Sequence, residues 1–443
     1  MKPDPDRGID RREFVAAAVA IGGSSALSAC LGRERAITDD GDTATGTPAE
    51  TAALSAPSGD PAAVPDRQHA WNDAVVRDAH GNTVIPQHQL LLGLRYEGSV
   101  PPTEAEREQV ESALRTLEEA FQWGTGGNLS ASFTEGLLFS LGYSARYFER
   151  LGAEVPEPLV PAEDVLEAVG EDPAAADDFD AVLLLNSDLG QVVLAAEQAL
   201  LGERDRLNGV EVTDTFEGVF SLAERRTGMV GKGVPADKLD NEDIPEEAPL
   251  SMGFKSGFRD GQPTEDAVTI EEGPFAGGTT MAVSRLAIDL ERWYDQSHDD
   301  RAAEMFCPAH DTDDIGEIGE RLGATSGVTE EETEKVEEYA EEYGHVGHTQ
   351  KVARARGEDF SPTILRRSES VATDTDATEF NFTGIQRHVD DFVETRKAMN
   401  PDEYDDDLDP ENHGIVDYLK TKARATVLVP ARDQRALPTG GDA

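Results

Sequence analysis

Nine histidines lie along the 443 residues, at positions 69, 80, 88, 298, 310, 345, 348, 388 and 413. His345 and His348 sit three apart, a spacing that could turn both to one face of a helix and toward a metal ion. No third ligand is visible beside them, so a single histidine as axial ligand to a haem iron is a better candidate than a two-histidine metal site, set against the plainer reading of a satisfied surface histidine. A second segment, Gly253–Gly261 (GFKSGFRDG), packs glycines, phenylalanines and the carboxylate of Asp260 together. An Asp between Arg and Gly is ordinarily a turn or cap residue. The functional reading is a carboxylate held on a tight turn beside a cavity. A third segment carries Arg366 and Arg367 just after Ile364 and Leu365. A guanidinium stays protonated, so it supplies fixed positive charge. HExxH, a phosphate-binding Gly-rich loop with Lys, and GxSxG are all missing from the sequence.

These residues need elements to hold them. His88–Tyr96 reads as a buried strand. Thr103–Phe121 reads as a helix, capped by Thr103, with Val110, Leu114, Leu117 and Phe121 at helical spacing. Gly136–Tyr143 and Asp180–Asn186 are further strands, and about 189–201 a helix. Strand, helix, strand, strand, helix is a ferredoxin-like order. After an irregular stretch over about 226–250 the mixture resumes. Strands are predicted at Gly277–Asp289, Phe380–Ile385 and Arg424–Pro430, and helices at Leu290–Ser297 and His388–Met399. Residues 328–343 form a strongly acidic helical run, read as a solvated face. The chain is therefore expected to be α+β, with two similar modules.

The charge balance narrows the function. Lys and Arg number 39 against 89 Asp and Glu, a formal net charge of -50. That excludes a nucleic-acid binder, which needs a basic face, and attraction to an anionic membrane. With 38% apolar residues the chain should fold. Nine Lys against thirty Arg, with abundant Ala, Gly and Thr, resembles proteins of high-salt environments. The acidity is then an adaptation to solvent rather than a face for a cationic substrate.

The N-terminus reads as an address. Asp10–Val15 (DRREFV) resembles a twin-arginine export signal, and the uncharged stretch Val15–Ala29 suits its apolar region. Leu27–Cys30 (LSAC) resembles a lipobox, whose cysteine is lipidated and becomes the first mature residue. The expected location is the outer face of the cytoplasmic membrane, lipid-anchored at Cys30, or extracellular. The removed segment balances four basic against four acidic residues, so the mature domain keeps the -50. With Cys30 lipidated, Cys307 has no disulfide partner, and two thiols are too few for an Fe–S cluster or a Cys-rich zinc site.

Taken together, the segments resemble the dye-decolorizing (DyP-type) haem peroxidases over about residues 86–430. Gly257–Gly261 is similar to that family's GxxDG motif, His348 in His-x-x-Lys to its haem ligand, and Ile364–Arg367 to its Leu-Arg-Arg segment. Gly136–Tyr143, Phe148–Gly152 and Glu379–Asn400 add diffuse similarity. The acidic stretch from Cys307 to Gly347 and Ser368 after the Arg pair depart from the pattern. The resemblance implies two ferredoxin-like modules of the dimeric α+β barrel type, with antiparallel sheets and flanking helices. Its organisation would be a signal at 1–29, a tether at 30–66, an N-terminal domain at 67–235 and a haem-binding domain at 236–435. It implies haem b, with His348 as axial ligand and His345 as second candidate. Asp260 and Arg366 would be catalytic and haem-contacting. Hydrogen peroxide and an organic reductant such as a dye or phenol would be the substrates, and a homo-oligomer is compatible. The carboxylate orienting the axial imidazole would come from Asp390 or Asp391, and electrons would reach bulky reductants through Trp293 or Tyr294 at the surface. The alternatives are deferrochelatase-like iron release from haem, a non-enzymatic haem-binding lipoprotein, and a metal site at His345 and His348.

Overall fold

The computed structural model describes residues 58–125, 133–231, 234–239, 241, 244–375, 377–400 and 413–440. The expected signal, Cys30 with its lipid, and the tether as far as residue 57 lie outside the described residues. The first half runs β1 (His88–Tyr96), α1 (Glu104–Ala120), β2 (Leu138–Tyr143), β3 (Ala181–Ser187), α2 (Gly190–Leu200) and β4 (Phe220–Met229). The second half runs β5 (Thr279–Ile288), α3 (His298–Met305), α4 (Val336–Tyr343), α5 (His348–Ala353), β6 (Leu365–Ala372), β7 (Glu379–Gln386), α6 (Val389–Lys397) and β8 (Leu419–Val429).

All eight strands join one closed antiparallel barrel in the order β6-β7-β5-β8-β2-β3-β1-β4. Within each half the spatial order is the same, second-third-first-fourth, which is the ferredoxin-like arrangement. The halves meet at two short seams. Leu428 of β8 pairs with Tyr143 of β2, while Val371 and Ala372 of β6 pair with Met229 and Gly228 of β4. The fold is thus α+β with antiparallel strands and flanking helices.

Strand alternation separates two cores. Leu91, Leu138, Val182, Leu184, Met281, Val283, Val427 and Ile385 fill the barrel together with Trp71. Leu90, Leu92, Phe139, Leu141, Leu183 and Leu185 point outward, onto α1 and α2. α1 starts where expected because Thr103 and Glu106 form a reciprocal capping box.

Two strands, β4 and β6, escape the apolar pattern. Their buried positions carry polar groups satisfied by distant partners. Arg226 of β4 is buried against Asp177, 2.9 Å from its Oδ2, and against Glu224 at 3.0 Å. Ser368 and Ser370 of β6 both donate to Gln89 Oε1 of β1, the first at 2.7 Å, reaching past β4 inside the barrel. Buried Arg367 pairs with Glu265 and lies over the Trp71 ring. The predicted 226–250 irregular stretch therefore begins within a strand.

Candidate functional site

The outer face of the first four strands is sealed by α1 and α2. The outer face of the second four is covered less closely, by α6, α5 and the 250–262 segment. Between them lies an open cavity, about 1740 Å³ with the solvent-filled mouth included. Its floor is the outward set of the sheet: Ser284 and Leu286 of β5, Phe380 and Phe382 of β7, Arg366 and Glu369 of β6, Leu419, Thr421 and Arg424 of β8. Phe254, Phe258, Met305, Phe306, Phe392 and Ile415 make much of the wall apolar.

His348 opens α5 and lines this cavity. Its position is set by close packing behind it. Gly347 must be glycine, since a Cβ there would lie 2.2 Å from the Phe306 carbonyl oxygen. Thr349 Oγ1 donates to Met305 O at 2.9 Å, and Gln350 N to Phe306 O at 3.1 Å. Lys351, one turn on, is buried and donates to the carbonyls of Met399, at 3.0 Å, and His413, at 2.5 Å. Burial pushes its ammonium down to about 7. Burial, with Lys351, Arg366 and Arg396 nearby, holds the His348 imidazole down at about 3. The ring is therefore neutral at ordinary pH, the form that binds a metal. Its buried Nδ1 has no hydrogen-bond partner. Neither Asp390 nor Asp391 meets it, and Asp391 instead accepts from His388 N at 3.2 Å, capping α6.

His345 is placed differently. Its Nε2 lies 3.1 Å from Asp300 Oδ1 and its Nδ1 3.4 Å from Glu304 Oε1. Both nitrogens face carboxylates of α3, and His345 does not line the cavity. The two histidines thus serve different surroundings rather than one ion.

Arg366 lines the cavity, its backbone N held by Gln262 Oε1 at 2.9 Å. Its Nη1 lies 3.4 Å from Glu369 Oε1. Ser256 Oγ donates to the other oxygen of Glu369. Three residues apart on a regular strand, these side chains would point to opposite faces. A bulge between Arg366 and Ser368 adds one residue to β6, so both reach the cavity. Glu369 is not visible as a site residue in the sequence, because only the bulge turns it to this face.

Asp260 sits on the helical turn Arg259–Gly261, its N bonded to Ala324 O at 2.9 Å. The flanking Phe258 and Gly261 line the cavity, but the Asp260 carboxylate is half-exposed and meets Arg259 Nε at 3.0 Å. Of the sequence-predicted groups, the fold brings His348 and Arg366 into one cavity and holds Asp260 at its rim. Trp293 is fully buried behind the wall, its Nε1 donating to Met252 O at 3.0 Å, not at the surface. Tyr294 is half-buried beside it under Arg301, 4.6 Å from its ring centre.

The cavity reverses the sign of the molecule. Lys255, Arg356, Arg366, Arg396 and Arg424 line it, against Glu171 and Glu369. Glu171 bridges Arg396, at 3.0 Å, and Arg424, at 2.6 Å, so charge is balanced only in part. In a chain of -50 this is a local excess of positive charge set in a largely apolar wall.

The fold is that of the dye-decolorizing proteins. A dye-decolorizing protein from V. cholerae superposes with a TM-score of 0.50 at 11% identity, over 82% of this chain and 98% of that one. A dye-decolorizing peroxidase from Bacteroides thetaiotaomicron gives 0.49 at 12%, over 82% and 98%. A DypB variant from Rhodococcus jostii RHA1 in complex with haem gives 0.49 at 12%, over 84% and 98%. No curated protein matches in sequence. Residues 86–431 match a family of unknown function, DUF7405, and the chain belongs to that family.

Proposed function

We propose that the chain is a haem-dependent peroxidase that reduces hydrogen peroxide at the expense of an organic reductant. The observation that carries this is His348: a neutral imidazole with an unpartnered nitrogen, on the wall of a large apolar cavity ringed by cations. The residues fit haem b. His348 would ligate its iron, the aromatic walls would flank the macrocycle, and Arg356, Arg366, Arg396 or Arg424 would meet its carboxylates. When bound, haem would supply the redox chemistry that couples peroxide to the reductant.

The chain's own residues then have distinct tasks. Arg366 presents fixed positive charge where negative charge develops on the departing peroxide oxygen. A proton must also pass between the two peroxide oxygens. Glu369 faces the cavity and is already held by Arg366 and Ser256, so its geometry suits that task. Asp260 is the second carboxylate for it, provided it leaves Arg259.

From the DRREFV and LSAC segments we further propose export by the twin-arginine route, to the outer face of the cytoplasmic membrane with a lipid anchor at Cys30 or to the extracellular space. The test is an absorption spectrum of the purified protein. A Soret band and peroxide-dependent oxidation of a dye are expected. A colourless chain that rejects added haem would overturn the reading, and free protoporphyrin as product would identify iron release instead.

A further inference from the structure

Away from the cavity, Cys307, His310 and Glu332 bring a thiol, an imidazole and a carboxylate together. One ligand atom from each lies within 4.8 Å of the other two. None of the three takes part in the site described above. Cys307 is free and fully buried, while His310 and Glu332 are partly accessible. Cys307 and His310 share one turn, with His310 N donating to Cys307 O at 3.1 Å. Glu332 comes from the acidic run, 22 residues beyond His310. Its Oε2 is fixed by Thr329, accepting from the backbone N at 2.7 Å and from Oγ1 at 2.8 Å. That leaves Oε1 aimed at His310 Nε2, 3.0 Å away.

We propose that Cys307, His310 and Glu332 bind one zinc ion. Zinc takes thiolate at about 2.3 Å, imidazole at about 2.0–2.1 Å and carboxylate at about 2.0–2.2 Å. Two ligand atoms 3.0 Å apart can both reach such an ion, which replaces the proton they share. The thiolate selects against calcium and magnesium, which prefer oxygen alone. The fourth position opens on the accessible side of His310 and Glu332, where water can complete a tetrahedron.

The site would also brace the helix that carries His348. Gln350 of α5 donates from Nε2 to Glu332 O at 2.6 Å, and Cys307 shares an apolar cluster with Val328 and Ala353. Zinc would close the loop from Cys307 to Glu332 against α5, removing loop freedom that the polypeptide alone must restrict. The acidic segment that departs from the DyP-type pattern then has a structural task.

The experiment uses the full chain with Cys30→Ser, leaving Cys307 as its single thiol. The protein is stripped with a chelator, dialysed against zinc, and measured by elemental analysis and zinc-edge X-ray absorption. One tightly held zinc per chain is expected, with a sulfur neighbour at about 2.3 Å. Cys307→Ser should lose both the sulfur signal and the held zinc, and His310→Gln should weaken retention. The 89 surface-rich Asp and Glu side chains bind zinc loosely but offer only oxygen, so sulfur discriminates. Zinc surrounded by oxygen and nitrogen alone, or undiminished zinc in Cys307→Ser, would overturn the proposal. If Cys307→Ser does not fold, the spectrum of the parent chain decides by itself. The result is independent of haem, since a chain that binds zinc and no haem retains this site and loses only the peroxidase reading.

Discussion

Arg366 and Glu369 are the pair on which peroxide chemistry would turn, and they can be separated by substitution. Arg366→Ala removes the fixed charge and should slow the reaction with peroxide by about 100- to 1,000-fold, the usual loss for one such donor. Glu369→Gln keeps the shape and the Ser256 contact but removes the proton carrier. Stopped-flow mixing with peroxide should show a larger loss for Glu369→Gln than for Asp260→Asn, because the Asp260 carboxylate faces Arg259 at the rim. The reverse order would return the proton to Asp260. His345 offers a prediction of a different kind. The hydrogen bond that its ring donates to Glu304 raises its pKa above 6.5, partial burial opposes this, and Asp300 adds to the rise. A base whose folded pKa is raised contributes stability that is full below its unfolded value and is lost as pH rises through the folded one. The urea midpoint should therefore fall from about pH 6.5 upward through this group, and His345→Gln should flatten that part of the curve.

At the level of elements, what could be read in advance follows from where polar groups are buried. β1 is legible because Leu90 to Leu92 are buried on both faces, and α1 because Thr103 and Glu106 announce its start. β4 and β6 are not, since Arg226, Arg367, Ser368 and Ser370 look like surface residues until their partners are placed. The same blindness hides Glu369, whose direction depends on a bulge that no local periodicity encodes. His348 and Arg366 were legible as types in segments of familiar spacing. Their convergence, and the retreat of Asp260 to the rim, depend on how α5 and the 250–262 segment pack on the second sheet. Gln89 tests this view of the barrel. Gln89→Leu should leave the Ser368 and Ser370 hydroxyls without their acceptor, at a cost of about 1–3 kcal/mol for a buried group left unsatisfied. Urea denaturation measures it, and replacing Ser370 by Ala in the same chain should recover part of the loss. An unchanged midpoint for Gln89→Leu would show that these hydroxyl contacts contribute nothing beyond the backbone pairing of β6 to β7 and β4 and the Arg367–Glu265 pair.

For the whole molecule, two fields of opposite sign are superposed. The surface repels anions at long range with a formal charge of -50, while the cavity attracts them at short range through Lys255, Arg356, Arg366, Arg396 and Arg424. Salt acts unequally on the two. The screening length is about 10 Å at 0.1 M and about 3 Å at 1 M. The long-range repulsion is therefore removed first, while charges in contact with a ligand inside a low-dielectric cavity are screened least. Two outcomes follow. The folded state, strained at low salt by its own like charges, should gain in thermal midpoint between about 0.1 M and about 2 M potassium chloride. Over the range where circular dichroism shows the chain folded throughout, the second-order rate with an anionic dye should rise with salt, because the approach barrier disappears. A cationic dye of similar size should slow, since it loses the attraction of the surface. Parallel salt responses for the two dyes would mean that the acidic surface does not govern approach, and that the charge serves stability alone.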